Sequence, residues 1–358
     1  CFNATVRGRP QSSAHVSLTA PHAPDADLDR AFAMVKNILT VLVVNHHCAG
    51  VFVGSGFILC LGTQTSFRPV GSTVMSIMQA FFMSFFFFIC AKYMRRSVGT
   101  HGARVAFSKR ARRYGIPFVM YTFAAGPAND YLLSIIFNRE FAYQIDSGPT
   151  WFLAWALLFC GVASMTRRIT TPAQRPALWS MVVVCAAVGA AQGVLTFFLR
   201  TPTLVMMPVP AIGSLLQDML FFFAGWCSET WSFEDAYRPS IALSSIAAIA
   251  AISVSVSPSA PLISNLTYAA GSTPCMLPSD FESGTTPILS STSLASSAAV
   301  GFAYGAFAPL FSVALLGCAV KCAPAFAVIF DARGDTAYFV YLIHVFVVEA
   351  LVLVYAHF

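Results

Sequence analysis

Charged side chains are scarce in this sequence, at 10 % of its 358 residues. Soluble domains have about 25 %. So few charges cannot cover a water-facing surface, and the composition therefore excludes a soluble globular protein. The net charge of +6 is small for this length. It gives no reason to expect a nucleic-acid partner, and we expect none.

Paired cysteine motifs are also missing. The chain has ten cysteines but no C-x-x-C pair, and most of them lie inside apolar segments. Buried thiols in such segments behave as small hydrophobic side chains. The pattern therefore favours packing over a disulfide framework, and it predicts no metal site.

Apolar residues dominate what remains, with 57 % hydrophobic residues and 33 phenylalanines. Four stretches without any charge exceed the roughly 20 residues that cross a bilayer as a helix; they are 69–91, 176–199, 239–279 and 283–320. Lipid leaves the backbone only internal hydrogen-bond partners, which favours helices. The sequence predicts an all-α, multi-pass transmembrane helix bundle.

The hydropathy pattern predicts nine or ten spans. Nine are placed at about 31–49, 70–91, 115–137, 150–165, 178–199, 211–227, 239–256, 296–320 and 336–357. A tenth would lie at 51–62 or within 257–295. Residues 1–29 form a polar segment that we expect to be poorly ordered, and residues 30–358 form one membrane domain. The Ser-, Thr- and Pro-rich stretch 257–295 is predicted to be an external loop.

The distribution of Lys and Arg predicts the orientation of the chain. With nine spans and a cytoplasmic N-terminus, the inner connectors hold fourteen basic residues and the outer connectors hold three. The inner connectors are 92–114, 166–177, 228–238 and 321–335. We therefore expect the N-terminus in the cytoplasm. A tenth span would change the side of the C-terminus.

The first span carries three ionisable residues, in the stretch "VKNILTVLVVNHHCAG". Eleven helical steps separate Lys36 from His47, about three full turns, so these two residues and Thr40 share one stripe about 16 Å long. His46 lies about 80° to the side. Ionisable groups inside a span face the protein interior or water. The stripe could line the two ends of one polar channel, or Lys36 could snorkel to the inner surface while the histidines serve structure.

Two acidic residues also stand inside apolar runs. Asp218 lies in "LLQDMLFFFAGW" and Glu349 follows "AYFVYLIHVFVV". An intramembrane carboxyl group is a functional candidate by default. With Lys36 and the histidines, these acids could form the proton relay of a transporter. Transporters commonly show paired half-repeats, and we find no internal repeat in this sequence.

Several motifs occur together in order. In "FSKRARRYGIP", Phe107, Arg110, Arg113 and Pro117 follow the pattern F-x-x-R-x-x-R-x-x-x-P. "GPTWFLAWALL" opens at Gly148 with a G-P-x-W-F-L element, and the last span carries Y-L-x-H ending at His344. With the spacing of Lys36 and His47, this ordered set resembles the acyltransferase-3 family of integral membrane O-acyltransferases over residues 29–357.

The resemblance implies transfer of an acyl group, acetyl in the first instance, from acyl-CoA to a hydroxyl of a glycan or another acceptor. Acyl-CoA would be a co-substrate, with no cofactor permanently bound. His47 would be the general base, because a neutral imidazole can take a proton from a hydroxyl and return it, with His46 as the fallback. Arg110 and Arg113 would contact the donor phosphates.

Other residues have weaker expected roles. Lys36 stands where the family has arginine and keeps the charge but not the planar fork, and Cys90-Ala91 replaces the family's Ser-Gly. Trp151 could contact the acyl or pantetheine part of the donor, or serve packing. His344 could assist proton transfer or be structural. The altered positions also leave open a catalytically degenerate homologue.

Overall fold

The computed structural model describes residues 23–53, 68–136, 147–165, 178–199, 212–228, 294–330 and 334–357, with nine isolated positions between them (138, 140, 141, 143, 145, 243, 244, 246 and 247). Most of the predicted span 239–256, most of the predicted loop 257–295 and the N-terminal residues 1–22 lie outside this part of the chain. So does most of the alternative span 51–62.

All regular structure in the described residues is helical. We number the α-helices in chain order: α1 Ala23–Val53, α2 Arg68–His101, α3 Ala103–Arg110, α4 Ile116–Met120, α5 Gly126–Ile136, α6 Trp151–Met165, α7 Leu178–Leu199, α8 Ile212–Cys227, α9 Leu294–Phe330 and α10 Gly334–His357. The predicted all-α membrane bundle is confirmed.

Four helical stretches in the described residues are long and apolar enough to cross a membrane. They are Leu28–Val51 in α1, Gly148–Met165 at α6, Gly301–Cys322 in α9 and Ala337–Val354 in α10. Two shorter apolar stretches lie in α7 and α8, at Trp179–Ala191 and Leu215–Cys227. The chain is an integral membrane protein.

Helices α1 and α2 pack as an antiparallel pair. At one end, Arg96 makes an ion pair with Asp29 at 2.6 Å. At the other end, the Asn45 amide lies 3.9 Å from the sulfur of Met78. These contacts fix the register of α1, because each joins an early residue of one helix to a late residue of the other. The two histidines of α1 therefore lie far from the basic end of α2.

The segment after α2 is helical almost without interruption. The chain passes from α2 to α3 at Gly102, whose φ of +80° lies in the left-handed region that glycine tolerates. Two π-helical turns, Ala111–Gly115 and Tyr121–Ala125, then alternate with α3, α4 and α5. Single π-helical turns within α-helices are frequent at functional sites.

The bundle core is built largely from phenylalanine rings of α2 packed on neighbouring helices. Phe81 meets Phe311 of α9 at a centroid distance of 4.5 Å, and Phe87 meets Phe152 of α6 at 4.6 Å. Glycines bring other backbones together. A Cβ at Gly225 of α8 would overlap the carbonyl of Phe88 in α2, so only glycine permits this approach.

Candidate active site

The two histidines of α1 face different helices. His46 is buried and packs on Phe82 of α2, with ring centroids 5.5 Å apart. His47 is half-buried, and the centroid of its ring lies 4.8 Å from the ring centroid of His344 in α10. The 100° turn per residue explains the split. The fold therefore brings the histidine of the first span together with the histidine of the last span, two of the candidates from the sequence.

Hydrogen bonding fixes the tautomer of His344. Its Nδ1 lies 2.6 Å from the carbonyl oxygen of Tyr341, one helical turn earlier. A carbonyl only accepts, so Nδ1 carries the proton. The Nε2 of His344 is buried and has no hydrogen-bond partner among the described residues. In the neutral ring, Nε2 is therefore a bare proton acceptor.

A turn before α6 anchors this part of α10. The Tyr341 hydroxyl donates a hydrogen bond to the carbonyl of Pro149. Gly148 has φ +43°, and a Cβ there would lie 2.6 Å from the Tyr121 ring. Glycine is needed at this position for both reasons. The G-P-x-W-F-L element of the sequence thus forms the surface on which Tyr121 and Tyr341 pack.

A second cluster surrounds Arg110, which is half-buried. Its Nη1 donates to the Tyr114 hydroxyl at 3.3 Å. That hydroxyl lies 3.6 Å from the Cys90 sulfur, which in turn lies 3.9 Å from the sulfur of Cys160. The half-buried Arg110 therefore stands at one end of a row of contacts that continues to the buried thiols of Cys90 in α2 and Cys160 in α6.

Arg113 takes a different direction from Arg110. Its guanidinium lies over the ring of Tyr338 in α10, 5.2 Å from the centroid, and the Tyr338 hydroxyl donates to the Arg113 carbonyl at 2.7 Å. The ring centroids of Tyr114 and Tyr338 lie 6.3 Å apart. The two arginines thus flank a pair of tyrosines. Arg113 lies in the π-helical turn that begins directly after Arg110, and this turn separates side chains that an α-helix would put on one face.

The arginine cluster and the histidine pair are separated along the bundle. On α10, His344 follows Tyr338 by six helical steps, about 9 Å of helix. On α2, eight helical steps separate Phe82 beside His46 from Cys90 in the cluster of Arg110, about 12 Å. Both helices give a similar separation. A molecule bound at both places would have to be extended.

Lys36 lies on α1 about 16 Å from His47 along the axis, as the spacing predicts. It is half-buried. The Thr40 hydroxyl between them donates to the Lys36 carbonyl at 3.0 Å. The Thr40 proton is thus bonded within its own helix.

The two intramembrane acids make contacts between helices. Asp218 is buried and accepts a hydrogen bond from Ser84 of α2 at 2.7 Å. Its neighbour Gln217 donates to the Ala80 carbonyl at 2.9 Å. Polar bonds of this kind hold helices together in a membrane. These contacts favour a packing role for Asp218 in joining α8 to α2.

Glu349 lies beyond His344 on α10 and is buried. It accepts a hydrogen bond from the Asn129 amide of α5 at 2.8 Å. Trp151 is half-buried at the start of α6, directly after the glycine-proline turn, and packs against the core. Neither residue contacts the histidine pair through a hydrogen bond or ring contact seen in the described residues.

Comparison with protein families decides the class of the chain. A family profile described as an acyltransferase domain matches residues 29–358, nearly the whole sequence. The chain belongs to the acyltransferase-3 family. The resemblance inferred from the ordered motifs is confirmed. Comparisons with curated proteins and with solved structures found no match.

Membership of the acyltransferase-3 family supports a membrane acyltransferase. In this acyltransferase-3 domain, the histidine pair can exchange protons and the arginines can hold an anion. The matched region begins at residue 29, while α1 already begins at Ala23. His47 of the first span and His344 of the last span therefore belong to one family domain.

Sequence reasoning assigned no role to the tyrosines of this site. Tyr114, Tyr338 and Tyr341 make the hydrogen bonds that position Arg110, Arg113 and His344. One signal was available: Tyr338, Tyr341 and His344 follow each other at a spacing of three. That spacing places neighbouring members of the series near one another on a helix.

Proposed function

We propose that this protein transfers an acyl group, acetyl in the first instance, from acyl-CoA to a hydroxyl of a glycan or another acceptor. His47 is the general base. Arg110 and Arg113 hold the phosphates of the donor. The acceptor oxygen attacks the thioester carbonyl carbon, the carbon–sulfur bond breaks, and the proton lost by the hydroxyl ends on the thiol of CoA.

The observation that carries this proposal is the distance along the helices between the two arginines and the histidine pair. The arginines flanking the tyrosine pair lie about 9–12 Å of helix from the histidine pair. A donor such as an acyl phosphate has its anion beside the reacting carbonyl, so it would not reach both places. In acyl-CoA, a flexible pantetheine arm separates the phosphates from the thioester. The distance therefore supports acyl-CoA as the donor class.

The surroundings of His47 support its role as a base. A hydroxyl is a poor nucleophile, and a base within hydrogen-bond reach raises the rate by about 10² to 10⁴. His47 is half-buried, whereas His46 is fully buried against Phe82. The residue that keeps part of its surface exposed is the one that can meet a substrate. His46 then serves to support the position of His47, with their rings 5.5 Å apart.

The chemistry of the arginine cluster supports phosphate binding. Arginine presents a planar set of donors that suits phosphate better than lysine does. Arg110 donates to Tyr114, and Arg113 stacks on Tyr338, so both guanidinium groups are held in place. Pre-organised side chains lose less entropy on binding. Two residues have lesser roles in this proposal. Trp151 contacts the pantetheine arm, and Lys36 interacts with the negative charge of the donor.

The proposed topology brings donor and acceptor to opposite sides. The positive-inside bias supports a cytoplasmic position for the N-terminus and for the segment of Arg110 and Arg113. His47 lies toward the other end of α1, so the acceptor reaches it from the outer or lumenal side. Tag accessibility at the N-terminus in sealed vesicles tests this orientation.

Radiolabelled acetyl-CoA tests the function. Membranes containing the protein are incubated with it, and label is measured in glycan, lipid and small-molecule fractions. We expect labelled product from the wild type, and a loss of about 10² to 10⁴ in rate for His47→Ala. A His47→Ala protein with undiminished transfer would exclude the mechanism.

The arginine variants test donor binding. Arg110→Gln and Arg113→Gln should each raise KM for acetyl-CoA about tenfold or more, as loss of a charge-assisted hydrogen bond predicts. Arg112 lies between them and is exposed, so Arg112→Gln removes the same charge without touching the cluster. An equal rise in KM for Arg112→Gln would indicate a general effect of charge or topology and would contradict the phosphate site.

A further inference from the structure

We propose that His344 is a second proton-transfer residue of this site, whose Nε2 receives the proton taken up by His47 and delivers it to the departing thiolate. This inference rests on the proposed acyl transfer. It assigns to the last span a catalytic group that acts together with the first. Three observations carry it: the fixed tautomer, the position of the ring and its anchoring.

The tautomer makes His344 ready to accept a proton. Nδ1 donates to the Tyr341 carbonyl at 2.6 Å, and Nε2 is buried with no hydrogen-bond partner among the described residues. A buried polar atom left without a partner costs free energy, about 1–3 kcal/mol. Such atoms in native proteins call for an explanation, and catalytic use is one. A substrate or proton arriving at Nε2 would relieve this cost.

The position of the ring makes transfer from His47 feasible. The two ring centroids lie 4.8 Å apart and the planes are inclined at 41°. Ring nitrogens lie at the rim of the imidazole, so small rotations about the side-chain torsions suffice to bring one nitrogen of each ring into hydrogen-bond range. Neither helix has to move.

Anchoring holds the ring in this orientation. In many catalytic histidines, the second nitrogen bonds to a carboxylate or a backbone carbonyl that sets which nitrogen carries the proton. Here the Tyr341 carbonyl serves that purpose, and the Tyr341 hydroxyl is bonded to the Pro149 carbonyl. The turn at Gly148–Thr150 thus positions the imidazole through α10.

Among the described residues, the titratable groups near the pair include the half-buried thiol of Cys48, which directly follows His47 in the chain. His46 is on α1, with its ring 5.5 Å from that of His47, and Tyr341 is on α10, with its ring 5.8 Å from that of His344. Glu349 is on the same helix, about 7.5 Å further along the axis, and is bonded to Asn129. The proton acceptor beside His47 is therefore an imidazole.

The proton balance is complete without another reactant. His47 removes the proton from the acceptor hydroxyl as its oxygen bonds to the thioester carbon. The carbon–sulfur bond breaks and leaves a thiolate. The proton passes from His47 to Nε2 of His344 and then to the thiolate sulfur. Both imidazoles end neutral, the acceptor has become an ester, and CoA leaves as the thiol.

The test uses His344→Asn, in which the amide can still donate to the Tyr341 carbonyl while the acceptor nitrogen is gone. With labelled acetyl-CoA and full-length protein in membranes, we expect kcat to fall about 10² to 10⁴-fold. KM for acetyl-CoA should stay within about twofold of wild type, because the lost interaction acts only in the transition state. His344→Gln is the control for folding, because its longer side chain cannot make the same bond to the Tyr341 carbonyl. Its protein level and thermal stability are compared with those of His344→Asn.

A second measurement separates catalysis from structure. Residues that act as one unit are not additive, so adding His344→Asn to His47→Ala should leave the residual rate unchanged within about twofold. A further fall in the double variant equal to that in the single variant would overturn the proposal in favour of a structural role. So would a single variant with wild-type kcat. If the wild type itself transfers no label, the proposed function fails, and this inference fails with it.

Discussion

Replacement of Gly148 by alanine should test how the turn before α6 supports the site. Gly148 has φ +43° and lies under the ring of Tyr121. Its neighbour Pro149 accepts the hydrogen bond that anchors Tyr341 and, through it, His344. The substitution adds one methyl group at a position where both the backbone and the space disfavour it.

The expected destabilisation has two parts. An L-residue in the left-handed region costs about 1–2 kcal/mol. The new Cβ would lie 2.6 Å from Tyr121 Cε1 and 2.7 Å from its hydroxyl oxygen, so the ring must shift. Overpacking of this kind costs about 1–3 kcal/mol. Together they predict a loss of about 2–5 kcal/mol in the free energy of unfolding.

Thermal unfolding in detergent, followed by light scattering or a thiol-reactive dye, measures the effect, and transfer of labelled acetyl measures activity. Tyr121→Ala removes the ring, so in that background Gly148→Ala should retain only the backbone part, about 1–2 kcal/mol. The difference between the two backgrounds isolates the clash. Activity should fall with Gly148→Ala even at temperatures where the protein remains folded, because the anchor of Tyr341 moves.

The control for this series is Gly99→Ala. Gly99 lies within α2, and nothing lies within 4 Å of the position a Cβ would take. Alanine there should stabilise the helix by about 0.5–1 kcal/mol. The reasoning would be refuted if Gly148→Ala left stability unchanged, or if its cost were the same with and without the Tyr121 ring.

Two further predictions concern the contact between α2 and α8. Gly225→Ala would push a Cβ into the Phe88 carbonyl. We expect a loss of about 1–3 kcal/mol in stability, or misassembly, seen as a lower melting temperature. An unchanged melting temperature would contradict the close approach of the two helices. Ser84→Ala removes a hydrogen bond to buried Asp218 and should cost about 1–3 kcal/mol. Ser164→Ala, which removes only a bond within its own helix, should cost less, and equal costs for the two serines would argue against the interhelical bond.

The sequence predicted the fold class and the family because both depend on patterns along the chain. Long uncharged runs predict helices in a membrane whatever their arrangement. The motifs from Lys36 to His344 predicted the acyltransferase-3 family, which the match over residues 29–358 confirms. The roles of His47, Arg110 and Arg113 remain predictions.

The site was only partly predictable. The helical repeat placed Lys36, Thr40 and His47 on one stripe, but it could not reveal that Thr40 bonds to its own helix. In an α-helix, the three-residue spacing of Arg110 and Arg113 would put both side chains on one face. In the structure, Arg113 lies in the π-helical turn that begins directly after Arg110, and the two arginines contact different tyrosines. A π turn depends on packing that no local pattern specifies.

The sequence by itself determined that this protein lies in a membrane as helices and which residue types carry its chemistry, because solvent and backbone impose those rules on every segment separately. Only the tertiary structure decided that His47 of the first span meets His344 of the last, almost 300 positions later. It also decided that the Tyr341 carbonyl fixes which nitrogen of His344 is bare. Such contacts depend on the relative position of helices, which is set by packing across the bundle.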